Sequence, residues 1–341
     1  MSTTDGAKPG KARRGRTLRW LLLWTSLFLL LLAILASLGA ADDLREFADF
    51  RKQVSLSRLA GCRCLPRTDL ELNRPDGVTL AASYYGSNPE GGEPWVVLVH
   101  GNTPRGRRLG VYRVLSRGLA RRGFSVLTLD QSGYGESGDP FRPGTVEALD
   151  RRLDVLAALD YIDTVAPERD SGIFLVGHSA GAPPVLRAGI DDGRVAGMVA
   201  IGPPRRVRER LADVEDREYF WMRARRTRRL NANAEFPAWF TAEQWLELSL
   251  RDAMEQHAEY FSTDGHKPLL LIDGERESED DRSYLRRFAA SIDEPKEYAT
   301  IAESNHYCSA KEFAGGRWIF FDREVVGETL DRIERWIRGQ L

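Results

Sequence analysis

Ser179 lies in Gly177-His178-Ser179-Ala180-Gly181, directly after the apolar run Phe174-Leu175-Val176. A serine hydroxyl is a poor nucleophile until it is exposed and paired with a base. A strand that ends in Gly-x-Ser-x-Gly and turns at once into a helix lifts the hydroxyl out of its sheet. Gly177 and Gly181 leave room for that turn. The following helix aims its first N–H groups, beginning with Ala180, at the place where an oxyanion would form. The base this serine needs is assigned to His306, in Ala302-Glu303-Ser304-Asn305-His306-Tyr307. His178 is inside the turn, His100 in an early glycine loop, and His257 and His266 in or beside a long insertion. The acid that orients the base belongs after the apolar run 269–272, in Asp273-Gly274-Glu275-Arg276-Glu277-Ser278-Glu279-Asp280-Asp281. A carboxylate run is ordinarily a solvated loop. Glu277 is chosen for its offset from Gly274, with Asp280 and Asp281 as alternatives. A second oxyanion donor is expected at the N–H of Asn102, after His100-Gly101. Together these groups point to acyl transfer through a covalent serine intermediate.

The surrounding pattern supplies elements able to hold them. Residues 69–73 and 78–85 alternate as strands around the turn Pro75-Asp76-Gly77, predicting an antiparallel hairpin. Trp95 to Val99 is a continuous apolar run, as in the buried middle of a parallel sheet. Further strands are expected at 124–129, 172–176, 195–201, 269–272 and 297–301. Helices are expected at 109–122, 146–165, 180–190, 282–291 and 323–339. This alternation predicts an α/β fold, a mostly parallel central sheet covered by helices on both faces. Residues 203–265 lack a strand and carry Phe220, Trp221, Trp239, Phe240 and Trp245 beside several arginines, which predicts a helical lid.

With 341 residues, the chain can hold one large domain plus appendages. Six basic residues against Asp5 give residues 1–19 a charge of about +5 and leave about −6 for the rest of a chain of net charge −1, a balance that does not suggest nucleic acid. Trp20 to Leu38 is uncharged and leucine-rich, long enough for a membrane span of about 20 residues. Residues 20–40 are therefore expected to be a transmembrane anchor. Gly39-Ala40-Ala41 also offers a signal-cleavage site, but the length favours a retained span. The basic residues precede the span, so the tail is placed in the cytoplasm and the body on the extracytoplasmic side. Residues 41–68 are expected to be a juxtamembrane connector, and 69–341 the folded domain. Cys62, Cys64 and Cys308 are taken as isolated thiols, although a Cys62–Cys308 or Cys64–Cys308 disulfide is compatible with an exported body.

From about residue 69 to the end the chain resembles the α/β-hydrolase superfamily. The resemblance rests on His100-Gly101-Asn102, on Asp130-x-x-Gly133-x-Gly135-x-Ser137, on the turn around Ser179, and on His306. The segment from His100 to Ser137 is also similar to the membrane-associated lysophospholipase and monoacylglycerol-lipase-like branch. The resemblance implies serine-ester chemistry without a metal or organic cofactor. A serine in place of aspartate at the turn argues against dehalogenase or epoxide hydrolase chemistry. The family more often has Asp where Glu277 is placed.

The expected function is a membrane-anchored serine hydrolase of carboxylic esters, with a small-molecule or lipid ester as substrate. The anchor and the aromatic lid favour a lipid-like ester. A serine peptidase or acyltransferase on the same residues, or a non-catalytic binding protein of this fold, remain the alternatives.

Overall fold

The computed structural model describes residues 20, 24–30, 48–52, 54, 58–63, 67–103, 105–138, 150–204, 254–313 and 316–341. The chain divides into two units, Met1–Gln53 and Val54–Leu341. In the first, residues 24–30 and 48–52 are helical. Among the described residues no helix is long and apolar enough to cross a membrane. The expected tail, most of the span and connector, and residues 205–253 of the expected lid lie outside the described residues.

The second unit is built on an eight-stranded sheet. Its strands are β2 (Thr68–Asn73), β3 (Thr79–Tyr85), β4 (Trp95–Val99), β5 (Ser125–Leu129), β6 (Ile173–His178), β7 (Val195–Ile201), β8 (Leu269–Gly274) and β9 (Lys296–Ile301), in the order β2-β3-β5-β4-β6-β7-β8-β9. The pairs β2–β3 and β3–β5 are antiparallel, and every pair from β5 to β9 is parallel. Helices α1 (Gly110–Ala120), α2 (Arg152–Val165), α3 (Ala182–Asp191), α4 (Glu279–Ala290) and α5 (Arg323–Arg338) cover it.

Continuous apolar runs form the central strands because both faces are buried. In β4, Trp95, Val97 and Val99 face a core shared with Leu159 of α2, Leu186 of α3 and Leu285 of α4. Val96 and Leu98 face the other core, with Leu115 of α1 and Ile333 and Trp336 of α5. The chain runs from β4 to β5 in one direction and then returns past β4 to β6. Right-handed crossovers therefore put α1 and α2 on opposite faces. The reversal opens a crevice at the carboxyl ends of β4 and β6. Val99 pairs with Gly177 at that point, so residues 100–102 and Ser179 emerge side by side.

Three strands lie outside the expected set. β1 (Leu59–Arg63), β10 (Ala310–Phe313) and β11 (Trp318–Asp322) form a small antiparallel sheet in the order β1-β11-β10. The boundary placed at residue 69 is corrected accordingly: pairing of Leu59–Arg63 with β11 brings the end of the supposed connector into the folded body. Helix α4 also starts earlier than expected. Ser278 caps it by accepting from the Asp281 N–H, and Glu279, Asp280 and Asp281 occupy the first turn, where carboxylates suit the helix dipole.

Candidate active site

Ser179 directly follows β6 and opens a 3₁₀ turn, Ser179–Gly181, that leads into α3. Its φ of 53° is left-handed, a costly conformation for a residue with a side chain. The turn closes only because its neighbours are glycines. A Cβ on Gly181 would fall 2.5 Å from the carbonyl oxygens of Val99 and His100, and one on Gly177 would fall 2.5 Å from the Ala182 Cα. The resulting loop leaves Ser179 and Ala180 partly exposed while His178 is fully buried.

His306 follows β9. Its Nε2 is 3.0 Å from Ser179 Oγ, and its Nδ1 is 3.0 Å from Glu277 Oε2. A carboxylate can only accept, so Nδ1 carries the proton and Nε2 faces the serine as an acceptor. The other oxygen of Glu277, Oε1, accepts from the Gly274 N–H at 3.1 Å. The Glu277 side chain is 7% exposed, against 37% for His306, so the ion-pairing edge is withdrawn from water while the imidazole reaches it. Of the three carboxylates considered, Glu277 is the one at His306. Asp281 instead accepts from the Ser278 hydroxyl at 2.5 Å, and Asp280 lies on the exposed first turn of α4.

The loops that carry Glu277 and His306 are locked to each other. The Glu275 N–H donates to the Ile301 carbonyl at 3.0 Å, and the Arg276 N–H to the Ser304 carbonyl at 2.8 Å. Arg276 also pairs with Glu303 at 2.6 Å. Within the His306 loop, Asn305 Oδ1 accepts from the N–H groups of Tyr307 and Ser309, both at 2.9 Å. That loop has three further residues with positive φ, Glu303, Cys308 and Ser309. Asn305 was visible beside His306 in the sequence but nothing there assigned it a task. Cys308 is a buried free thiol, pushed up to about 12 by burial and by the nearby Glu277 charge, and so is not a nucleophile at neutral pH.

The loop after β4 completes the crevice. Gly101 packs against the serine: a Cβ there would lie 2.7 Å from Ser179 Cβ and 3.2 Å from Oγ. Asn102, the next residue, is partly exposed, and its Oδ1 accepts from the Tyr134 hydroxyl at 3.0 Å. Asn102 thus lies one residue from the contact with the serine, and Ala180 directly follows it in the first turn, where N–H groups lack intrahelical acceptors. His100 is held away from solvent. Its Nδ1 faces its neighbour's carbonyl at 2.6 Å and its Nε2 accepts from the Gln131 N–H at 2.9 Å. Burial lowers its pKa.

The Asp130-to-Ser137 segment holds this loop from behind. Asp130 is buried and accepts from the Arg107 N–H at 2.6 Å, the Arg107 guanidinium, and the Glu136 N–H at 2.9 Å. Ser137 Oγ donates to the Asp130 carbonyl at 2.6 Å and accepts from the Ala81 N–H at 2.9 Å. Among the described residues no group of three or more His, Cys, Asp or Glu side chains is placed to hold a metal ion.

A model of the alpha/beta hydrolase family matches residues 96–322, two thirds of the chain. No curated protein matches it. Solved structures with a similar fold include the Pyrococcus furiosus esterase Pf2001, at 18% identity and TM-score 0.56 over 80% of this chain and 91% of that one. DcsB, solved in complex with its substrate analogue, is similar at 15% identity and TM-score 0.58, over 81% and 100%. Est1E from Butyrivibrio proteoclasticus, solved with ferulic acid bound, is similar at 15% identity and TM-score 0.53, over 80% and 98%. At such identities the likeness is one of fold.

Proposed function

The chain belongs to the alpha/beta hydrolase family, and on that footing we propose that it is a membrane-anchored serine hydrolase of carboxylic esters. The observation that carries this reading is the continuous contact from Glu277 through His306 to Ser179, at the crevice between β4 and β6. Ser179 Oγ attacks the ester carbonyl as its proton passes to His306 Nε2. Glu277 holds the ring through Nδ1–H and stabilises the imidazolium. The N–H groups of Asn102 and Ala180 receive the oxyanion, a contribution typically worth about 100–1000-fold in rate per donor. His306 then gives its proton to the leaving alcohol, and water, deprotonated by the same imidazole, releases the acyl group.

The leucine-rich run 20–40 supports a retained anchor, with residues 1–19 in the cytoplasm and the body extracytoplasmic. An anchor confines the body to a membrane surface, which favours a lipid-like ester as substrate. Pf2001, similar in fold, is an esterase, which agrees with ester chemistry.

The test is labelling with a fluorophosphonate probe on membranes washed in alkaline carbonate. Wild-type protein is expected to stay in the pellet and to label, and Ser179→Ala to stay in the pellet unlabelled. Release by carbonate would refute the anchor. Labelling that survives the substitution would refute the nucleophile.

A further inference from the structure

Tyr112 and His178 take no part in the steps above, yet both are buried at the centre of the site. The Nε2 of His178 lies 2.6 Å from the backbone carbonyl of His306. A carbonyl only accepts, so this nitrogen carries a proton. The ring is buried 4.9 Å, centroid to centroid, from that of His306. Burial first, and then the neighbouring imidazole, lower its pKa to about 3, so it is neutral. Its Nδ1 is therefore bare and accepts from the Tyr112 hydroxyl at 2.9 Å. The oxygen of that hydroxyl accepts in turn from the Gly101 N–H at 2.7 Å. The bonds run in one direction: Gly101 N–H to Tyr112, Tyr112 O–H to His178, His178 N–H to the His306 carbonyl.

These bonds join three segments that reach the site from different strands. Gly101 follows β4, His178 ends β6, and His306 follows β9, the edge strand three positions from β6. Glu277 holds the His306 ring, but a ring bond does not fix the Cα that carries the ring. The bond from His178 does, at the residue immediately before the nucleophile. At the other end, Tyr112 holds the N–H of Gly101, one residue before the Asn102 donor. We infer, on the serine mechanism proposed above, that Tyr112 and His178 are positioning residues that set both the base and the oxyanion loop against Ser179. A neutral His178 suits this place, because a second charge beside His306 would oppose formation of the imidazolium. Misplacement of a reacting group by about 1 Å can cost about 100-fold in rate, so a chain of short, directed bonds has kinetic consequences.

The test uses the full chain and three variants. Tyr112→Phe keeps the ring and removes the hydroxyl. His178→Phe removes both bonds of the imidazole. His178→Gln restores a side-chain donor able to reach the His306 carbonyl. The rate of Ser179 labelling by a fluorophosphonate and kcat and KM for p-nitrophenyl butyrate are measured in each. Tyr112→Phe and His178→Phe are expected to slow labelling and kcat by about 10–100-fold with little change in KM, and His178→Gln to recover most of the loss. Unchanged labelling rates in Tyr112→Phe and His178→Phe, or no recovery in a folded His178→Gln, overturn the inference. A second measurement needs no turnover. In ¹⁵N-histidine spectra of the wild type at pH 7, His178 is expected as the neutral Nε2–H tautomer, and an Nδ1–H tautomer or a charged ring overturns the chain of bonds. A wild type that never labels but shows the expected tautomer refutes the serine mechanism and leaves the hydrogen-bond chain standing.

Discussion

Gly202 lies directly against Glu277: a Cβ built on it would fall 3.0 Å from Glu277 Oε1 and 3.1 Å from His306 Nδ1. The residue directly follows β7 with a φ of 50°, and its N–H donates to the Ile272 carbonyl at 2.8 Å. The backbone just past β7 thus forms the wall behind Glu277 and His306. Gly202→Ala meets both a left-handed backbone and a filled space. The expected cost is about 1–2 kcal/mol of stability from the backbone alone, with kcat for p-nitrophenyl butyrate down by about 10–100-fold as the imidazole is displaced. Urea denaturation and steady-state kinetics check the two effects separately. A variant that loses stability but keeps kcat would show that the pair tolerates the intrusion.

The choice among the three carboxylates has its own test. Glu277→Gln leaves an amide against Nδ1 and removes the charge that stabilises the imidazolium, so kcat is expected to fall by about 1000–10,000-fold at pH 7. Asp280→Asn and Asp281→Asn are expected to leave kcat unchanged, since both residues belong to the first turn of α4. Asp281→Asn also weakens the first-turn contact with Ser278, and thermal unfolding should show a small loss. Activity that followed Asp280 or Asp281 would reassign the acid.

The parts of the fold legible in the sequence are those where one physical signal dominates. Trp95–Val99 and Phe174–Val176 are apolar without a break because both sheet faces are covered, and a run of that kind needs no context. Ser179 stood out because a glycine pair around a serine after such a run has a steric purpose. β1, β10 and β11 were not legible because each has only four or five residues: β1 forms only by pairing with β11 about 260 residues away, and the local β10–β11 pair is too short to show a clear alternation. Glu277 could be picked by offset but not separated from its neighbours, because a capping serine followed by acidic residues reads equally well as a loop. Tyr112 lies in the expected helix 109–122, and no motif there singles it out. Its hydroxyl acquires meaning only when Gly101 and His178 arrive beside it, and no local pattern encodes that meeting.

Asp130 and Arg107 are buried together behind the loop that follows β4, with Arg107 also donating to Ser83 at 2.8 Å and Glu136 at 3.0 Å. Removing Asp130 leaves the buried Arg107 guanidinium with only Ser83 and the half-exposed Glu136, and removing Arg107 leaves the Asp130 charge to backbone donors; breaking a buried pair in this way typically costs about 3–5 kcal/mol. Asp130→Ala is therefore expected to lower the unfolding free energy by that amount, measured in urea. The double variant Arg107→Ala/Asp130→Ala is expected to lose less than the two single losses added together, because no orphan charge opposite the deleted carboxylate remains. Strict additivity would mean that the two groups are held by their other partners and not by each other.

His178 also fixes how stability responds to acid. Burial and the adjacent His306 ring hold its pKa at about 3, below the ordinary value of 6.5 that it regains on unfolding. Between those values the unfolded chain binds a proton that the folded chain does not, so folding stability rises with pH across that window. The contribution is complete above about pH 6.5 and is lost as the pH falls toward 3. His257, lowered to about 4 mainly by burial, acts with the same sign. His178→Gln removes one titrating group while retaining a donor. Urea unfolding at pH 4.5, 5.5 and 6.5 is expected to give wild-type stability that falls with acidity. In the variant the slope should be shallower by up to about 1.4 kcal/mol per pH unit. Equal slopes would mean that His178 takes up its proton without unfolding, which the carbonyl at Nε2 and the tyrosine hydroxyl at Nδ1 leave little means to accommodate.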